Sequence, residues 1–178
     1  MKRKFMAITA AALALSMLSS TAAFAAEWGK TGGKWFYYLD DGSVAKNTWI
    51  RTEATETAGA TAYWVNSDGT MAATQWVNDG NAWYYVDGGG TILTNQMLIQ
   101  NNGSDSYWLL EDGKMAVSSW IQDPEGKWYY FQDNGKALKN GWKTVDGEEF
   151  YFLKSGALAV DALVPGGGRV DAQGRRMK

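Results

Sequence analysis

From Glu27 to Leu163 the chain is written in short runs of aromatic and β-branched residues, separated by clusters of Gly, Asp and Asn. Within the runs apolar residues recur with a period of two rather than 3.6, the spacing of strands and not of helices. Trp76-Val77-Asn78 reads as one short strand, Asp79-Gly80 as a tight turn and Trp83-Tyr84-Tyr85-Val86 as the returning strand. Asp-Gly between such runs is a strong hairpin signal, because glycine supplies the positive φ that primed turns need. Asp146-Gly147 has the same place between Trp142 and Phe150.

The hairpins repeat. Gly42, Gly69, Gly90, Gly113, Gly135 and Gly156 each close a similar unit. Five residues before each stands a large ring: Tyr37, Trp64, Tyr85, Trp108, Tyr130, Tyr151. Six before stands another: Phe36, Tyr63, Tyr84, Tyr107, Tyr129, Phe150. Two after stands an apolar residue (Val44, Met71, Ile92, Met115, Ala137, Leu158), and seven after stand Trp49, Trp76, Met97, Trp120, Trp142 and Leu163. Gly174 marks a seventh, degenerate unit, with Gly168 and Arg169 in place of the rings. A single hairpin is marginal in water, so such units are expected to stack and share a core. The expected fold is all-β, a solenoid of stacked β-hairpin repeats. Residues 26–164 hold six of them and residues 165–178 a terminal cap. Glu53–Thr61 lengthens the second unit and is expected to be a surface loop.

Composition narrows the function. The chain has no His and no Cys, which removes disulfides, Cys/His metal sites and Ser-His or Cys-His nucleophile pairs. A formal charge of −2 gives no basic field for nucleic acid. Neither a metal nor a cofactor is expected, and the turn acids Asp40, Asp41, Asp68, Asp112 and Asp133 match no calcium loop. The pairs Glu148/Glu149 and Glu111/Asp112 make no natural acid–base dyad, because neighbours on a strand face opposite sides. No stretch outside the repeats is long enough for a catalytic domain, so no enzymatic activity is expected. Residues 1–25 have the form of a secretory signal peptide. Lys2, Arg3 and Lys4 precede an apolar run, and Ala23-Phe24-Ala25 offers a cleavage site. No later segment could cross a bilayer. The end, Gly174 to Lys178, shows neither a hydrophobic tail nor a sorting motif, so surface retention is expected to be non-covalent and to come from the repeats.

The tracts Trp76 to Tyr85, Trp120 to Trp142 and Gly141 to Gly147 resemble the choline-binding type of cell-wall-binding repeat found in Gram-positive surface proteins. The resemblance covers residues 27–164. It implies ligand sites between consecutive hairpins, each a cage of about three rings, two from one hairpin and one from the next. The skeleton is shared with glucan-binding repeats, so a sugar-binding reading stays open.

Placed on this sequence, the cage pattern alternates. Seven residues before Gly stand Trp35, Ala62, Trp83, Ser106, Trp128 and Glu149, a Trp in every second unit. Complete cages are expected at Trp28–Trp35–Trp64, Trp76–Trp83–Trp108 and Trp120–Trp128–Tyr151, with Met71, Met115 and Leu158 as fourth walls. The rings six before Gly are expected in the core. Trp49, Met97 and Trp142 face Ala62, Ser106 and Glu149, so the intervening cages are broken; the last would also need Arg169. A Trp in place of Ala62 or Ser106 is expected to complete a further cage. An aromatic cage suits a weakly hydrated quaternary ammonium. The implied partner is a choline-bearing, teichoic acid-like wall polymer or, in the alternative, a surface glycan held with help from Asn66, Gln75, Asn78 and Gln132.

Overall fold

The computed structural model describes residues 25–53 and 61–177. The expected signal peptide, apart from Ala25, and residues 54–60 of the long turn lie outside the described residues. The strands are β1 Glu27–Thr31, β2 Lys34–Tyr38, β3 Thr48–Thr52, β4 Thr61–Val65, β5 Gln75–Asn78, β6 Trp83–Val86, β7 Gln96–Gln100, β8 Asp105–Leu109, β9 Ser119–Gln122, β10 Trp128–Phe131, β11 Gly141–Val145, β12 Glu148–Phe152, β13 Ala162–Leu163 and β14 Arg169–Val170. Among the described residues the one helical element is a 3-10 turn, Asn101–Gly103. The expected all-β hairpin fold is the observed one.

The chain forms two compact units, each taken here by itself. One holds the residues up to Asp79 with Val86–Ile92, the other Gly80–Tyr85 with the residues from Leu93 onward. In the first, β1 pairs with β2 and β3 with β4, all antiparallel. In the second, β7 pairs with β8, β9 with β10, β11 with β12 and β13 with β14. In these five hairpins the register sets the opening residue opposite the residue five before Gly: Trp28 with Tyr37, Trp49 with Trp64, Met97 with Trp108, Trp120 with Tyr130 and Trp142 with Tyr151.

Neighbouring hairpins are stitched by the segment after each glycine. The residue two after Gly donates its N–H to the carbonyl of the residue seven before Gly in the preceding hairpin. Met71 donates to Trp35 at 2.8 Å, Met115 to Trp83 at 2.7 Å, Ala137 to Ser106 at 2.8 Å and Leu158 to Trp128 at 2.8 Å. The next residue donates back to its own hairpin, Ala72 to Trp64 and Ala159 to Tyr151. The connecting backbone is thus paired without side chains, as a half-buried segment requires.

The turns are held by aspartates. Asp41 and Asp68 accept from the backbone and hydroxyl of Ser43 and Thr70, and these hydrogen bonds hold both carboxyls below the usual range. This is Asx-turn chemistry. Among the described residues no group of His, Cys, Asp or Glu could hold a metal ion.

The most buried repeat position is one that the ring pattern did not single out. Four residues before Gly stand Val65, Val86, Leu109, Phe131, Phe152 and Val170, all 0% exposed. Alternation puts this position on the same face as the ring six before Gly. That ring is buried only at Tyr84 and Tyr129; Phe36, Tyr63, Tyr107 and Phe150 are half-buried. The expectation that all six are core residues therefore holds for two of them.

Gly135 shows why the repeat needs glycine. Its φ is +76°, and a Cβ there would overlap the Sδ and Cε of Met115. Gly135→Ala is expected to lower stability by about 2 to 4 kcal/mol, the left-handed strain added to the overpacking. A urea unfolding curve measures it.

Candidate ligand-binding site

Two faces of each hairpin do different work. Residues directly opposite in an antiparallel pair share a face, and the next residue along points away. Trp28, Tyr37 and Trp35 therefore stand on one face of β1–β2, with Phe36 on the other. In β3–β4, Trp49 and Trp64 share a face and Tyr63 is on the opposite one. The rings of the first unit meet accordingly. Trp28 packs edge-on against Tyr37 at 5.2 Å and against Tyr63 at 5.5 Å, while Trp64 packs with Trp49 at 5.1 Å. Trp35 is 38% exposed, and Met71 is stitched to its carbonyl.

The second unit repeats this. Trp120 meets Tyr130 at 5.2 Å, Phe150 at 5.0 Å and Phe152 at 5.8 Å, the last stacked, while Tyr151 packs with Trp142 at 5.4 Å. An open hollow of ≈ 620 Å³ lies here, walled by Trp120, Trp128, Phe150, Leu158 and Val160 and rimmed by Glu148, Ala172, Gln173 and Arg175. Trp128 is 41% exposed.

Across the junctions Trp28 meets Tyr63 and Trp120 meets Phe150, the rings six before Gly, while Trp64 and Tyr151, expected as the third rings, pack with Trp49 and Trp142 of their own hairpins. The cause is alternation itself. The ring five before Gly shares a face with its own opening Trp, so it looks away from the preceding hairpin. Trp108, expected as the third ring of the middle cage, is placed in the same way. It lies opposite Met97, is 5% exposed and belongs to a core cluster with Ala116, Tyr129, Phe131, Ala137 and Ala157. Of the remaining middle set, Trp76 lies in the first unit, and Trp83 and Met115 lie in the second. Trp83 is exposed like Trp35 and Trp128.

The junction between β7–β8 and β9–β10 is closed. Ser106, expected to leave an empty place, is itself 2% exposed. Tyr129 packs into the core there, and its hydroxyl donates to Asp123 at 3.1 Å. Burial first, and then that carboxylate, push the Tyr129 hydroxyl above the usual phenol range.

The chain's own cations report on the ring faces. Lys30 Nζ stands 5.5 Å from the centroid of Trp35, and the Arg176 guanidinium stands 4.7 Å from that of Trp142. Arg169, which stands where the last cage would need a ring, pairs with Asp161 at 3.7 Å.

Comparison with known families decides the identity. A choline-binding repeat model matches residues 121–163, and a cell wall binding repeat model matches residues 27–44 and 74–92. Over these stretches the chain carries choline-binding and cell wall binding repeats. Choline-binding repeats are binding modules, and they also occur beside catalytic domains. Among solved structures, choline binding protein F from Streptococcus pneumoniae, crystallised with a tetrasaccharide-pentapeptide peptidoglycan analogue, is 31% identical with a TM-score of 0.64. The match covers 85% of this chain and 46% of that one. CbpJ from the same organism is 30% identical with a TM-score of 0.54, over 84% of this chain and 57% of that one. The modular autolysin LytC of Streptococcus pneumoniae, in complex with a synthetic peptidoglycan ligand, shares the fold at 24% identity and a TM-score of 0.57, over 85% of this chain and 37% of that one. The chain thus spans 46%, 57% and 37% of the length of these three. No curated protein matches the chain. Among the described residues no helix is long and apolar enough to cross a membrane.

Proposed function

We propose that this protein is a non-catalytic cell-surface protein that captures choline-type quaternary ammonium groups on a wall polymer such as a teichoic acid. The observation that carries the reading is the hollow of Trp120, Trp128, Phe150 and Leu158, three rings and an aliphatic wall around a space open to solvent. The cluster of Trp28, Trp35, Tyr63 and Met71 holds the same repeat positions in the first unit. Ring faces attract cations, and each ring contributes about 0.5 to 2 kcal/mol. Three rings give about 3 to 5 kcal/mol, near millimolar affinity for one small ligand. Several such sites on a polymer that repeats the ligand would tighten binding by avidity. Export by the signal peptide would place the repeats at the wall, and the repeats would hold them there.

Three of the four polar side chains expected to help a glycan site are paired within the chain. Gln75 donates to Asn66 at 2.8 Å, Asn66 donates to Thr70 at 3.3 Å, and Gln132 donates to the Lys136 carbonyl at 3.3 Å. This favours the cation reading over the sugar reading.

Calorimetric titration with choline tests it. Trp35→Ala and Trp128→Ala each remove one exposed ring, so each is expected to weaken one site by about 1 to 2 kcal/mol, a loss of roughly ten-fold or more. Release of the protein from washed walls by oligosaccharide but not by choline would overturn the reading.

A further inference from the structure

The junction after β11–β12 repeats the cleft position by position with different chemistry. Trp142 keeps the opening ring. Glu149 stands where the clefts have Trp35 or Trp128, Gly168 where they have Tyr63 or Phe150, and Arg176 where they have Met71 or Leu158. The backbone stitch is unchanged, with the Arg176 N–H donating to the Glu149 carbonyl at 2.8 Å. Gly168 lies directly against the indole, where a Cβ would sit 2.8 Å from Cζ2 of Trp142, so no third ring fits. The Arg176 guanidinium fills the remaining face at 4.7 Å from the ring centroid, and its Nη1 donates to both carboxylate oxygens of Glu149 at 3.1 Å.

We propose that this junction is a further cation site that carries its own ligand. Arg176 holds the cation position on Trp142, Glu149 supplies the counter-charge, and choline-type cations in solution are shut out. The proposal rests on reading the clefts as cation sites. A guanidinium is planar and weakly hydrated, which suits it to stacking on an indole beside a carboxylate. A tethered cation also acts at millimolar or higher effective concentration, so a free ligand of near-millimolar affinity gains little there. The terminal unit is thereby fixed with no ligand bound. Arg175, one residue earlier, is sent by strand alternation to the rim of the Trp120–Trp128 hollow, where its Nε pairs with Glu148 at 3.4 Å. The two consecutive arginines thus serve neighbouring junctions, one at the rim of an open site and one inside a filled site.

Arg176→Ala in the full chain tests this, with Arg176→Met, which restores an apolar wall, as the second variant. Amides of residues 168–177 are expected to exchange about ten-fold faster once the cation–ring contact and its ion pair are gone. Millimolar ethylguanidinium or tetramethylammonium should slow them again, and calorimetry with choline should count one site more than in the wild type. A folded variant with unchanged exchange and unchanged stoichiometry would overturn the proposal. So would faster exchange that neither cation reverses. If the wild type binds no choline at all, the reading of the open clefts fails, and rescue by ethylguanidinium still decides this one.

Discussion

Ser106→Trp is expected to destabilise the second unit by about 3 kcal/mol or more, and not to create a new ligand site. Counted along the repeat, Ser106 holds the position of Trp35 and Trp128, and a ring there completes the cage pattern on paper. In the folded chain its surroundings are different. It is 2% exposed, its carbonyl takes the Ala137 N–H, and Trp108, two residues on and on the same face, is buried in one core cluster with Tyr129 and Ala137. An indole has no room unless the two hairpins separate, and separating them exposes Phe131 and Trp108. Urea unfolding measures the loss, and choline titration of any folded fraction counts sites. A stable variant with one site more would show that the closed junction can open.

The contrast between Ser106 and Trp128 explains how much of this fold was legible in the sequence. Hairpins, turns and repeat boundaries followed from residue pattern, because Asp-Gly turns and alternation act within a few residues. The exposed Trp35, Trp83 and Trp128 and the buried Ser106 fall on the Trp and non-Trp positions seven before Gly. The partner ring was harder to read. The rule that separates Trp35 from Phe36 also separates Trp64 from Tyr63, and applied to the following hairpin it turns Tyr63 and Phe150 toward the cleft. Trp64, Trp108 and Tyr151 are the larger or more conspicuous rings, but their own opening residues claim them. The buried position at Val65, Leu109, Phe131 and Phe152 carried an apolar signal four before every repeat Gly after Gly42, where Tyr38 stands, and was legible in principle. The role of Arg176 was not, because nothing local in Gly-Arg-Arg-Met says which of two arginines turns onto Trp142. That depends on strand pairing with Glu149, twenty-seven residues away.

Trp120→Ala is expected to cost about 3 to 5 kcal/mol of stability and to abolish the cleft of the second unit, two losses that Trp128→Ala separates. The Trp120 indole is the hub of its junction. It lies edge-on to Tyr130 and Phe150 and stacks on Phe152, which is fully buried. Each aromatic pair adds about 0.5 to 1.5 kcal/mol to the area it buries, and the cavity left by an indole cannot close while the backbone stitch from Leu158 to Trp128 holds the hairpins at their spacing. Trp128, at the mouth of the same hollow, is 41% exposed. Its loss is expected to leave stability nearly unchanged, within about 1 kcal/mol, as for surface positions. Both variants impair the same ligand site, Trp128→Ala by weakening it and Trp120→Ala by abolishing it, but only Trp120→Ala shifts the urea midpoint strongly. Equal midpoints for the two would show that Trp120 is a ligand contact alone and that the junction is held by the buried column beneath it. A folded Trp120→Ala that still binds choline with wild-type stoichiometry would place the site elsewhere than in this hollow.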